Sequence, residues 1–110
     1  MENKNILHVV FVTVPDADVG RKLARAVLEA RLAACVNIIP GLESHYWWQG
    51  KLDTSAEVLL LIKTTKPKLK ALQKLVVVKH PYDTPEFVAI PASTVAEKYM
   101  TWVRDSVKGA

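Results

Sequence analysis

With one cysteine, Cys35, the chain cannot form an internal disulfide. That sets aside the disulfide-stapled secreted scaffolds and fits a reducing compartment. Long apolar runs are missing too. The stretch 6–14 is interrupted by His8 and Thr13 and stops at Pro15, too short to cross a bilayer. The cationic start and small-residue cleavage site of a secretory signal are absent, so the sequence predicts a cytoplasmic chain with no membrane insertion. No CxxC, HxxxH or HExxH spacing occurs, which argues against a preformed structural zinc site. Without a GxSxG elbow, a P-loop or a dinucleotide fingerprint, no enzyme is expected. Neither a linker nor a low-complexity segment interrupts the 110 residues, which suffice for one modest core, so a single domain over 1–110 is predicted.

What is present is ordinary globular material, 50% hydrophobic and 24% charged, with a formal net charge of +4. The basic residues are dispersed. Their densest stretch, holding Lys63, Lys66, Lys68, Lys70 and Lys74, surrounds a predicted helix and reads as a solvated face. No nucleic-acid partner is expected.

Residues 6–14 are rich in β-branched side chains and read as a strand. Asp16 and Asp18 offer N-cap chemistry for a helix to about residue 32, with Val19, Leu23, Ala26, Val27 and Ala30 on one stripe. Residues 34–48 are extended, and Pro40-Gly41 marks a bulge or bend within them. Gln49-Gly50 reads as a two-residue hairpin loop leading into a return strand over 51–65. Its continuous run Val58 to Ile62 suggests burial on both faces. Pro67 opens a second helix whose end is ambiguous, because Val76-Val77-Val78 also suits a strand. Residues 86–90 form the next strand, and Thr94 with Glu97 reads as a capping box for a last helix to about residue 108. The order is βαββαβ plus a C-terminal helix, an α+β ferredoxin-like sandwich with helices on one face of an antiparallel sheet.

The hairpin is too long for one such domain. About fifteen residues at about 3.3 Å each reach about 50 Å, whereas a helix of about twelve residues covers about 18 Å. Leu42, Tyr46, Trp47, Trp48 and Leu52 have little of their own domain to cover them, so self-association is predicted.

With Trp48 opposite Lys51, alternation puts Tyr46 and Trp48 on the same sheet face as Glu57 and Lys63. An acid, a base and two aromatics then share one surface. Candidate metal donors are Cys35, His8, His45 and His80, with Asp83 and Glu86 following His80 at three-residue intervals. Cys35 itself, at a helix-to-strand junction among apolar neighbours, reads as a buried inert thiol. An acylphosphatase-like anion loop is disfavoured by the acidic segment 14–18, and an RNA-recognition sheet by the lack of aromatics over 55–63.

Several blocks in order resemble the CutA family: Arg31-Leu32-Ala33-Ala34-Cys35-Val36-Asn37, Tyr46-Trp47-Trp48-Gln49-Gly50-Lys51, Glu57 with Lys63-Thr64, His80-Pro81-Tyr82-Asp83-Thr84-Pro85-Glu86, and Tyr99 with Trp102. The resemblance implies a tight homotrimer akin to PII signalling proteins, linked to tolerance of copper and other divalent cations. It places an inter-subunit cleft at Cys35, Trp48, Glu57, Lys63, His80, Tyr82, Glu86 and Trp102, while the spacing of His80, Asp83 and Glu86 makes these three the candidate metal ligands. Any copper or other divalent cation is expected to bind weakly and to be dispensable for folding. Some members carry a cysteine where this chain has Val12 and a second histidine where it has Lys79, so His80 alone of that set is retained. The alternative reading is a PII-like small-molecule sensor or protein-assembly scaffold without metal function.

Overall fold

The computed structural model describes residues 6–108; the expected single unit 1–110 extends past these bounds at both ends. Period-two burial shapes the first strand, β1 (Leu7–Val14), in which Val10, Val12 and Val14 are fully buried and Val9, Phe11 and Thr13 only partly so. Helix α1 (Ala17–Glu29) begins where predicted, with Asp16 Oδ1 accepting the Val19 N–H at 2.9 Å. It ends short of the expected residue 32. Arg31 adopts a left-handed φ of 59°, and Leu32 N–H turns back to the Val27 carbonyl at 3.0 Å. A glycine would adopt that φ more readily; here the Arg31 guanidinium anchors the turn by donating to the Ser106 carbonyl at 3.0 Å.

The hairpin strands β2 (Cys35–Trp48) and β3 (Lys51–Thr65) pair with Trp48 opposite Lys51, as the two-residue Gln49-Gly50 loop implied. A register shift lies between Ile39 and Leu42, at the anticipated Pro40-Gly41, where Gly41 has φ 85°. A 3-10 turn over Lys66–Lys68 leads into α2 (Leu69–Lys79), so the ambiguous valines are helical and Val76 packs in the core. Strand β4 (Val88–Pro91) is shorter than expected and leaves Glu86 in the loop before it.

The four-stranded sheet has the order β2-β3-β1-β4, antiparallel throughout, which is the ferredoxin-like arrangement. Residues Val10, Val12, Val14, Leu60 and Ile62 of its inner face, together with Leu23, Val27, Leu72 and Val76 of α1 and α2, make the main core. Each such buried aliphatic side chain is worth about 1.5–3 kcal/mol relative to exposure. Burial on both faces of the run 58–62 is only partly realised: Leu59 and Leu61 stay half-open. The last helix, α3 (Glu97–Ser106), lies apart from α1 and α2. Its Met100 and Val103 join Leu7, with Val9 and Ala34 against them, and so cap one end of the opposite sheet face. The predicted capping box does not form. Ala96 is the N-cap with no side-chain bond, because Ala92 and Val95 pack onto that second cluster and hold the preceding segment out of the helix.

Beyond α3 the rest of that face is open. Ile39, Tyr46, Trp48, Val88 and Ile90 are exposed on it, flanked by half-buried Phe11, Leu59 and Leu61. The hairpin draws the described chain out to 45 × 26 × 23 Å.

Candidate functional site

Two polar groups occupy the open face, one toward each end of β3. The first starts at Glu57, which pairs with Leu42 just past the bulge. Its side chain is only 8% exposed, yet among the described residues it receives a single hydrogen bond, from the Tyr82 hydroxyl to Oε2 at 2.8 Å. Burial of the phenol, then that bond and the Glu57 charge, push the Tyr82 hydroxyl well above its ordinary range. Glu86 keeps one side in solvent. Desolvation, followed by the neighbouring Glu57 charge, raises its carboxyl above the usual glutamate range.

These carboxylates open onto a cavity of about 690 Å³ between the hairpin and the loop 82–86. Tyr46, Trp47, Trp48 and Tyr82 contribute to its walls, Leu42 and Leu59 to its floor, and Asp53 and Asp83 to its rim.

The second group surrounds Lys63, opposite Cys35 in the register. Lys63 Nζ donates to Asn37 Oδ1 and lies 4.0 Å from Cys35 Sγ. Tyr99 of α3 adjoins the thiol; burial first and Cys35 second raise its hydroxyl. Trp102 tilts against Tyr99 with ring centroids 5.5 Å apart. Cys35 is therefore half-exposed beside an ammonium group, a correction to the inert thiol among apolar neighbours. Glu57 and Lys63 do share a face, but six residues of strand, about 20 Å, separate them.

The metal-donor candidates are dispersed. His80 is 7% exposed, and both ring nitrogens are engaged: Nε2 donates to the Thr13 carbonyl at 2.7 Å and Nδ1 accepts from the Tyr82 N–H at 3.1 Å. That pattern fixes the Nε2–H tautomer and leaves no lone pair for a metal. The bonds that hold His80 instead set the backbone of Tyr82, and thereby aim its hydroxyl at Glu57. His8 is buried beside the Ile6 carbonyl, and His45, which also lines the cavity, bonds Glu43 at 2.6 Å. Among the described residues no three His, Cys, Asp or Glu side chains form a metal-holding group. His80, Asp83 and Glu86 are thus not assembled into a ligand set within one chain.

Asn37 and Asp53 were not singled out from the sequence as site residues. Strand parity carries the signal for both, since Asn37 shares a face with Cys35 and Lys63, and Asp53 pairs with Tyr46.

The profile of the CutA1 divalent ion tolerance proteins matches residues 8–106. The chloroplastic CutA 1 protein of Oryza sativa is 48% identical over 100 residues, covering 91% of this chain and 56% of the relative. The divalent-cation tolerance protein CutA of Thermus thermophilus is 47% identical over 98 residues, covering 89% and 95%. This chain thus spans about half the length of the chloroplastic plant relatives it matches. The crystal structure of CutA1 from Oryza sativa superposes with a TM-score of 0.92 at 44% identity, covering 99% of this chain and 100% of the other.

Proposed function

Given that the chain belongs to the CutA1 family of divalent ion tolerance proteins, we propose that it is a homotrimer that binds divalent cations, copper among them, weakly in clefts between subunits. The observation that carries this reading is the spacing of the two polar groups on one open apolar face. A single copy holds the Glu57–Tyr82–Glu86 group about 20 Å from the Cys35–Lys63 group. A second copy laid against the exposed Trp48, Val88 and Ile90 brings its own end of β3 toward the first.

The donors with spare capacity are the oxygens of Glu57, Glu86 and Asp83, hard ligands that suit a loosely held divalent cation better than a tight copper site. No catalytic role is assigned. A cytoplasmic location fits the lone thiol, and among the described residues no helix is long and apolar enough to cross a membrane.

Calorimetric titration of copper and zinc into the assembled protein tests the cation reading. Glu57→Gln is expected to weaken binding at least tenfold, and His80→Ala, which removes no ligand but loosens the loop carrying Asp83 and Glu86, to weaken it severalfold at most. A trimer that binds neither ion contradicts the metal role. A second reading, a PII-like small-molecule sensor, is favoured by one observation: the cavity's aromatic walls, which contribute nothing to ligating a metal.

A further inference from the structure

We propose that the outer face of the two-helix layer, centred on α2, rests against an anionic lipid surface without inserting a helix into it. Helices α1 and α2 pack on the inner sheet face, so an assembly formed through the open face leaves this surface in solvent. The inference is independent of what the clefts bind.

Positive charge is concentrated there. Segments 17–29 and 66–79 carry eight basic residues against two acidic ones, a larger surplus than the net +4 of the whole chain, so the rest of the sequence is net acidic. Both acids are engaged by arginines: Asp18 lies 3.4 Å from Arg21 and Glu29 lies 3.1 Å from Arg25. The lysines differ. Lys22 on α1 and Lys66, Lys68, Lys70, Lys74 and Lys79 on α2 and its leading turn pair with no carboxylate among the described residues.

Nothing in the fold asks for this arrangement. Lysines crowd the start of α2, where the helix dipole favours acids, and its first turn holds none. Lys70 and Lys74 stand one turn apart and repel each other. Val76, Val77 and Val78 are β-branched, which suits a helix poorly, and of the three only Val76 packs in the core. Val77 is 45% exposed and Val78 75%, the most open of the large hydrophobic side chains among the described residues. Helical spacing puts Lys70, Lys74, Val77 and Val78 on one stripe, opposite the buried Leu72 and Val76. The stripe therefore weakens its own helix, on the side of the sheet that no second copy covers.

A lipid surface uses both halves of that stripe. Ammonium groups on long stems reach anionic headgroups, each adding to the attraction. The valines meet the interfacial region, where they lose contact with water. A nucleic acid gains nothing from the valines, and this face offers no aromatic ring for stacking and no arginine free of a carboxylate. Protein interfaces are enriched in arginine and aromatic residues and depleted in lysine, the reverse of this composition. Without an aromatic anchor the contact is shallow, reversible and steeply salt-dependent.

The test is co-sedimentation of the full chain, in its native assembly, with vesicles. Binding is expected on equal parts phosphatidylcholine and phosphatidylserine at low salt, at least tenfold tighter than on phosphatidylcholine alone. Lys70→Glu combined with Lys74→Glu should weaken it at least tenfold. Val77→Ser combined with Val78→Ser, which leaves the charge unchanged, should weaken it severalfold. Lys98→Glu combined with Lys108→Glu makes the same charge change on the opposite side of the sheet and should hold binding within threefold. All six substituted side chains are exposed, so light scattering should show the wild-type assembly throughout. The proposal is overturned by equal binding to both vesicle types, by unchanged binding of either the lysine or the valine variant of α2, or by an equal loss in the Lys98 and Lys108 variant. Polyuridine or polyglutamate bound at least as tightly as the anionic vesicles, at the same salt, assigns the face to another class of partner and also overturns it.

Discussion

The Tyr82 hydroxyl donates a 2.8 Å hydrogen bond to Glu57 Oε2, joining the loop after α2 to the middle of β3. It is the only donor that Glu57 finds among the described residues, and it fixes one wall of the cavity. Tyr82→Phe removes the donor and keeps the ring, and is expected to cost about 1–3 kcal/mol of unfolding free energy. Urea unfolding at fixed protein concentration measures this. In a Glu57→Gln background the same change should cost less, since no charge is left unpaired.

Glu86 gives a pH dependence of definite sign. Its carboxyl titrates above the usual range in the folded protein, because of desolvation and then the Glu57 charge. The folded state thus holds the proton more tightly than the unfolded chain. The stabilising contribution is complete below the ordinary glutamate range and is lost as pH rises through the raised value. Glu86→Gln should therefore match the wild type at acid pH and exceed it at neutral pH. A cation that binds beside Glu86 should release protons and bind more tightly as pH rises through that window. Unfolding midpoints at acid and neutral pH check the first expectation, and calorimetry in two buffers of different ionisation enthalpy checks the second.

His80→Ala separates a structural histidine from a ligand. The substitution removes a donor to the Thr13 carbonyl and an acceptor for the Tyr82 N–H, both in a buried setting. A loss of about 1–3 kcal/mol is expected. Cation affinity should fall severalfold at most for the molecules that remain folded, because the loop carrying Asp83 and Glu86 loosens while no ligand is lost, as read by titration well below the unfolding transition.

The bulge at Pro40-Gly41 sets which side chains of β2 share the open face. It inserts an extra residue between the Ile39–Leu59 and Leu42–Glu57 pairs, so Cys35 and Trp48 face the same way despite their odd spacing. Deleting Gly41 removes the extra residue and leaves two steps on β2 against two on β3, so a regular ladder keeps Cys35 opposite Lys63 and Trp48 on the cavity face. The expected outcome is a native oligomer that persists, measured by light scattering.

The order of elements was legible because local signals agreed with the tertiary outcome. Asp16 caps α1, Gln49-Gly50 closes the hairpin, and the period of two in β1 survives folding. The errors fall where tertiary contacts override local chemistry. Thr94 and Glu97 have the spacing of a capping box, but Val95 is drawn onto the Leu7–Val103 cluster and the helix starts later. Arg31 ends α1 in a conformation usually left to glycine, held by a bond 75 residues away that no local pattern reveals. The face shared by Tyr46, Trp48, Glu57 and Lys63 followed from parity alone. The distance between Glu57 and Lys63 did not enter that reading. The role of His80 depended on a carbonyl in β1 far away in sequence.

Light scattering of the purified chain at micromolar concentration, with quenching of its tryptophans by acrylamide, bears most directly on the proposal that the open sheet face is buried between copies. The predicted result is a particle of three times the 12.3 kDa chain mass with Trp48 shielded. A folded species of a single chain mass, with Trp48 as open to quencher as its 41% exposure in one copy implies, would contradict it.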